Sequence, residues 1–137
     1  MIEDLAGHWE GEGKTEADVQ VRGTLDLEEI VGGKGLALAF RTFDADDAIL
    51  SRQRGILTAR RLAYLEDTVG ELKILDRRDG DGRYVYGIGE PADDGSYRVE
   101  VSFSVVAPGE MEFRVSTGLP GELFAARFDA HLRRTDG

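Results

Sequence analysis

The chain has no cysteine, which removes disulfides, thiolate metal sites and cysteine nucleophiles together and makes a reducing compartment, the cytoplasm, the expected setting. Long apolar runs are also missing. The longest, Leu36 to Phe40, is far too short to cross a bilayer, and the acidic start Met1-Ile2-Glu3-Asp4 lacks the apolar stretch of a secretory signal. Neither secretion nor membrane insertion is expected. Positive charge is scarce: 17 lysines and arginines face 27 aspartates and glutamates, a net charge of −10, so nucleic acid is repelled rather than bound. The paired arginines Arg60-Arg61, Arg77-Arg78 and Arg133-Arg134 read as solvated strand ends. Asparagine is absent as well, which is read as coding bias.

What the chain does have is period-two alternation. Between Asp18 and Val31, the residues Val19, Val21, Leu25, Leu27 and Val31 share one face, opposite Asp18, Gln20, Arg22, Thr24, Asp26 and Glu28. The pattern returns in Tyr97-Val99-Val101-Phe103-Val105 against Arg98-Glu100-Ser102-Ser104, and in Met111-Phe113-Val115 against Glu112-Arg114-Ser116. Turn-forming clusters punctuate the strands at Gly32-Gly33-Lys34-Gly35, Asp79-Gly80-Asp81-Gly82, Asp93-Asp94-Gly95 and Pro108-Gly109. No stretch has a convincing helical period. The 137 residues therefore make one domain, residues 1–137, of about ten strands. The expected class is all-β, a single antiparallel up-and-down β-barrel, because closure removes the exposed edges that a sandwich would have to defend.

The segment Gly7-His8-Trp9-Glu10-Gly11-Glu12-Gly13 reads as the opening strand, with Trp9 closing the barrel base and the glycines letting the backbone bend. Parity turns Trp9, Leu25, Leu27, Leu36, Leu38, Phe40, Tyr84, Tyr86, Phe103, Phe113 and Phe128 inward. Among these, Trp9, Phe40, Tyr84, Tyr86, Phe103, Phe113 and Phe128 are the expected lining of an interior ligand site, the two tyrosines supplying polar handles in an apolar wall. Arg41 and Arg54 read as outward and solvated. The resulting expectation is a non-enzymatic barrel binding one small apolar or amphipathic molecule, without nucleic acid, membrane or metal and with no cofactor. A homodimer is compatible with the sequence. The alternative is a filled core serving a structural or regulatory module.

Other chemistry finds no support in the spacing. Gly13-Lys14-Thr15 ends like a phosphate-binding loop, but the required earlier glycine is His8 and no helix follows. The carboxylates Asp44, Asp46 and Asp47, and separately Asp76, Asp79 and Asp81, lack calcium-loop spacing and read as solvated turn acids. No serine sits in a nucleophile elbow. His8 and His131 are too far apart to form a local zinc set. The parity of the last strand puts Phe124, Ala126, Phe128, Ala130 and Leu132 inside and Ala125, Arg127, Asp129, His131 and Arg133 outside, so His131 reads as a salt-bridged surface histidine.

In order and spacing the chain resembles the nitrobindins, haem-binding ten-stranded barrels related to fatty-acid-binding proteins and lipocalins. The resemblance is carried by Leu5 to Gly13 against L-G-x-W-x-G-x-G, by Leu27-Glu28-Glu29-Ile30 with Gly33-Lys34 and Arg41-Thr42, by Gly55-Ile56-Leu57, and by Phe128 to Arg134 at the close. It implies a barrel fold and, as an alternative function, haem b and action on nitric oxide or peroxynitrite. The family's His-Pro-Thr-Gly turn corresponds to Asp67, Thr68, Val69 and Gly70, and its axial histidine to Arg127, which cannot ligate iron as a neutral imidazole. His131 is the alternative haem ligand, four residues further on. The resemblance therefore lends the fold and leaves the haem without its expected ligand.

Overall fold

A computed structural model describes residues 2–67, 69–78 and 83–135. Ten antiparallel strands follow one another around a closed barrel: β1 (Gly7–Thr15), β2 (Gln20–Ile30), β3 (Gly35–Phe43), β4 (Ile49–Leu57), β5 (Arg61–Glu66), β6 (Val69–Arg78), β7 (Tyr84–Ile88), β8 (Arg98–Ala107), β9 (Glu110–Gly118) and β10 (Ala125–Thr135). Each strand pairs with its chain neighbours, and β10 closes the ring on β1. The expected turn at Asp79-Gly80-Asp81-Gly82, together with Thr68, lies outside the described residues. Gly13-Lys14-Thr15 is the end of β1, with no phosphate-loop geometry around it.

Alternation works because successive side chains on a strand point to opposite faces. In β2 it buries Val21, Leu25 and Leu27 and leaves Arg22, Asp26 and Glu28 on the outer wall. The expected partners Val19 and Val31 do not join them. Both lie just beyond the strand ends and are exposed, and Val31 holds a positive φ of 51° in the β2–β3 turn, a conformation a β-branched residue adopts rarely. The barrel also needs backbone at close range. A Cβ on Gly11 would stand 2.0 Å from the His131 carbonyl oxygen, and one on Gly55 would stand 2.1 Å from that of Ala63. These glycines let neighbouring strands coil tightly where any side chain would push them apart.

One end of the barrel is sealed. A single 3-10 turn, Ile2–Leu5, which no sequence period announces, buries Ile2 and Leu5 beneath the β2–β3 and β4–β5 connections. Trp9 lies fully buried above it, its indole Nε1 donating to the Leu5 carbonyl oxygen at 2.9 Å. Around it Leu25, Leu27, Leu36, Leu57, Leu62, Leu75, Tyr86, Phe103, Met111, Phe113 and Leu132 form one continuous core. The wall facing water is not uniformly polar. Ile56 and Ile74, both about half exposed, flank Ala63 in one row across β4, β5 and β6.

Of the strand-end arginines, Arg60, Arg61 and Arg133 are exposed as expected, whereas Arg134, Arg77 and Arg78 make specific contacts. Arg134 lies 4.6 Å over the Trp9 ring and donates to the Asp4 carbonyl oxygen, and Arg77 lies 4.7 Å over Tyr84. Arg78 pairs with Glu100 and donates to the Gly89 carbonyl oxygen. Arg98, expected on the wet face of β8, does point outward but is 1% exposed. It donates to the carbonyl oxygens of Pro91, Ser96, Leu119 and Glu122, pinning the β7–β8 and β9–β10 loops over itself. Burying a guanidinium is tolerable only when its donors are satisfied in this way.

Candidate functional site

The opposite end of the barrel is open. Connections 16–19, 44–48, 89–97 and 119–124 surround it together with Asp67 at the end of β5, and they carry Glu16, Asp18, Asp44, Asp46, Asp47, Glu90, Asp93, Asp94 and Glu122. None of these segments contains a lysine or arginine of its own. Inside this acidic rim is a cavity of about 340 Å³ lined by Thr15, Val21, Phe40, Thr42, Leu50, Ser51, Gln53, Glu66, Val115, Thr117, Arg127 and Phe128. That size lies at the low end of the range for small-molecule sites.

Strand register divides the lining into two walls. Val21 comes from β2 and Val115 and Phe128 from β9 and β10, where they face each other directly. The Phe40 ring lies between them, 5.4 Å from that of Phe128, and also touches Phe113 at 4.8 Å. Tilted and edge-on rings of this kind make a firm apolar surface. The other wall is polar and comes from β3, β4 and β5. Thr42 and Ser51 stand opposite each other with their hydroxyls 2.7 Å apart, and Gln53 is paired with Phe40 on one side and Glu66 on the other.

Beside the polar wall, on the interior face, is a half-buried ion pair. Lys73 Nζ lies 3.5 Å from Glu66 Oε1 and 5.5 Å from the Tyr97 ring centre. Burial alone would lower the lysine, but the Tyr97 hydroxyl and the Glu66 carboxylate outweigh it and hold Lys73 above its ordinary value. Tyr64, beside it, is pushed well up by burial, with Glu66 adding to the effect. Neither group is poised for proton transfer near neutrality.

Arg127 reaches the cavity through an irregularity. The β9–β10 register slips between Ala126 and Phe128, so Arg127 is the extra residue of a β-bulge. Its guanidinium bonds the Thr117 hydroxyl and carbonyl oxygens, the Glu16 carboxylate and the Leu123 carbonyl oxygen, which ties β10 to the first loop of the rim. The same slip overturns the parity expected upstream. Ala126 is exposed, and Phe124 leaves the interior to lie against Arg98.

The seven expected ligand-lining residues do not form one site. Phe40 and Phe128 line the cavity, and Phe113 supports them from beneath. Phe103 and Trp9 are fully enclosed in the filled core below. Tyr86 donates its hydroxyl to the Thr58 carbonyl oxygen at 2.7 Å, near the sealed end, and burial pushes it up to about 12 against the pull of Arg77. Tyr84 borders a depression outside that end, with Ile2, Glu3, Lys34 and Arg77. Both tyrosines therefore stand at the end of the barrel away from this cavity. Thr42, Ser51, Gln53 and Glu66 were missed because polar residues in half-exposed strands look solvated, although strand parity with Phe40 turns Thr42 inward.

A haem does not fit the groups present. Arg127 stands where the resemblance requires histidine and has its donors engaged. His131 lies on the outer wall beside Glu110, 3.2 Å from its carboxylate, and His8 faces outward against Asp26. No protein-family model and no curated protein matches the chain. Solved structures do. Rv2717c from M. tuberculosis superposes with a TM-score of 0.73 at 16% identity over 98% of this chain and 94% of its own. The S-type phycobiliprotein lyase CPES from Guillardia theta gives 0.60 at 11% identity, covering 99% and 91% of the two chains. A de novo designed fluorescence-activating β-barrel gives 0.54 at 15% identity, covering 97% and 95%. At these identities the likeness is one of fold, a closed antiparallel β-barrel, and function must be argued from the site.

Proposed function

We propose that this protein is a non-enzymatic, intracellular binding barrel that takes one small, largely apolar molecule into its open end. The observation that carries the reading is the two-sided cavity: Val21, Phe40, Val115 and Phe128 offer desolvation to an apolar body, and Thr42, Ser51, Gln53 and Glu66 offer hydrogen bonds to one polar edge. Apolar walls with a few convergent polar groups are the usual composition of a ligand site. Two of the structurally similar barrels are, by their names, a phycobiliprotein lyase and a fluorescence-activating design, and both names are compatible with small-molecule handling inside such a fold. Below the cavity the core is filled, so binding belongs to the mouth rather than to the length of the barrel.

Two tryptophan substitutions test this. Val115→Trp projects into open space and should abolish binding of an apolar fluorescent probe with little loss of stability. Phe103→Trp overpacks a filled layer and should cost about 1–3 kcal/mol of stability while leaving the mouth intact. Probe binding that survives Val115→Trp, or no saturable binding by the unmodified protein, removes the proposal.

A further inference from the structure

We infer that the ligand of the open-end cavity is a small arylalkyl amine, an aromatic ring carrying a primary ammonium on a short chain. The inference rests on the binding role proposed above and adds the charge and shape of the occupant. In the polar wall the Glu66 carboxylate only accepts, whereas the Gln53 amide and the Thr42 and Ser51 hydroxyls both donate and accept. No described residue hydrogen-bonds the Gln53 side chain, which stands directly opposite Glu66 in the β4–β5 register. Glu66 spends Oε1 on Lys73, and its Oε2 receives no hydrogen bond from any described residue. An ammonium brings three donors and no acceptor, which suits a carboxylate oxygen, an amide oxygen and a hydroxyl set side by side.

The cations near the cavity do not reverse this preference. Arg127 is engaged by Glu16, Thr117 and Leu123, and Lys73, on the interior face opposite Tyr64 but not among the residues lining the cavity, is held by Glu66. A ligand carboxylate would meet Glu66 as a like charge after crossing a rim that stays net acidic: Lys14, Arg22, Arg52, Arg98 and Arg127 pair with Asp18, Asp47, Asp67, Asp94, Glu16 and Glu122, and Asp44, Asp46, Glu90 and Asp93 have no cationic partner among the described residues. That same rim concentrates cations at the opening. The opposite wall completes the assignment, because the edge-to-face pair Phe40 and Phe128 extends naturally to a third ring and Val115 bounds it on one side.

Calorimetric titration of the full chain near pH 7 with 2-phenylethylamine, 2-phenylethanol and 3-phenylpropanoate tests the point, since the three share a ring and differ in charge. The amine is expected to bind about tenfold more tightly than the alcohol, with the carboxylate weakest. Raising the salt to about 1 M should narrow the gap between amine and alcohol. Glu66→Gln should bring the amine to the level of the alcohol and leave the alcohol unchanged. Gln53→Met, which removes the amide oxygen and keeps the Glu66–Lys73 pair, should weaken the amine more than the alcohol and serves if Glu66→Gln does not fold. A carboxylate that binds as tightly as the amine, or an amine preference indifferent to both substitutions, overturns the inference while leaving the binding role standing. If none of the three binds while the apolar fluorescent probe does, the inference falls and the binding role stands; if the probe fails as well, both fall.

Discussion

Arg134 and Trp9 are stacked at the sealed end, the guanidinium 4.6 Å from the ring centre, while the indole N–H is held by the Leu5 carbonyl oxygen. The last strand therefore clamps the first through its one large aromatic. Trp9→Ala should cost about 3–5 kcal/mol in chemical denaturation, because it removes both the plug of the core and the partner of the 3-10 turn. Arg134→Ala should cost about 0.5–1 kcal/mol, the worth of an exposed cation–π contact. A Trp9→Ala loss below about 1 kcal/mol would place the end seal elsewhere.

Arg98 is a loop anchor, and its removal should act locally. Arg98→Met leaves four carbonyl oxygens without their donor, and the expected loss is about 3 kcal/mol, since each group left unsatisfied in a buried place is costly. Amide hydrogen exchange should show protection falling in 89–97 and 119–124 and persisting in β2 and β3. Uniform loss across the barrel would contradict the local role.

His8 links stability to pH. Its hydrogen bond to Asp26 raises the imidazole above its ordinary value of 6.5; partial burial opposes this, and Glu10, 3.6 Å away, adds to it. A group whose folded value is raised gives its full stabilisation below the unfolded value, about 6.5, and loses it as the pH climbs through the folded one. The denaturation midpoint should therefore fall over that window, and His8→Gln should flatten the decline. The same slope in both proteins would take His8 out of the titration.

Haem is the plainest negative case. With Arg127 bound to Glu16 and Thr117 and His131 outside the barrel beside Glu110, adding haem should produce no stoichiometric Soret band. A saturable one-to-one band abolished by His131→Ala would mean that β10 can shift its register.

Much of the barrel was legible because parity is a strong signal wherever one face is dry. The inward positions of β3 and β9, of β2 from Val21 to Leu27 and of β8 from Val99 to Phe103, the burial of Trp9 and the outward His131 follow from alternation, whereas Val105, expected on the dry face, is 38% exposed where the β8–β9 register slips. Two kinds of feature escaped it. The bulge at Arg127 inserts one residue into β10, and counting by twos cannot see an insertion, so Phe124 was placed inside. Parity also says which face a residue occupies and nothing about its height. Tyr84 and Phe128 share the inward face but stand near opposite ends of the barrel, which is why aromatic content suggested one pocket where there are a filled core and a separate mouth. Arg98 shows the same limit on the outer face, where loops from elsewhere in the chain decided its burial.

The seam between β1 and β10, running from His8 opposite Thr135 to Thr15 opposite Phe128, sets the order of assembly. Until β10 docks, β1 and β9 each present an unpaired row of amides and carbonyls, and the layer completed by Phe128, Ala130 and Leu132 stays wet. Nearest-neighbour hairpins can form early, but the ring closes only by joining its two extremes, the most entropically demanding contact in the topology. During synthesis the growing sheet is consequently a two-edged ribbon, and a stalled or clipped chain that lacks β10 is expected to pair with its own kind rather than fold.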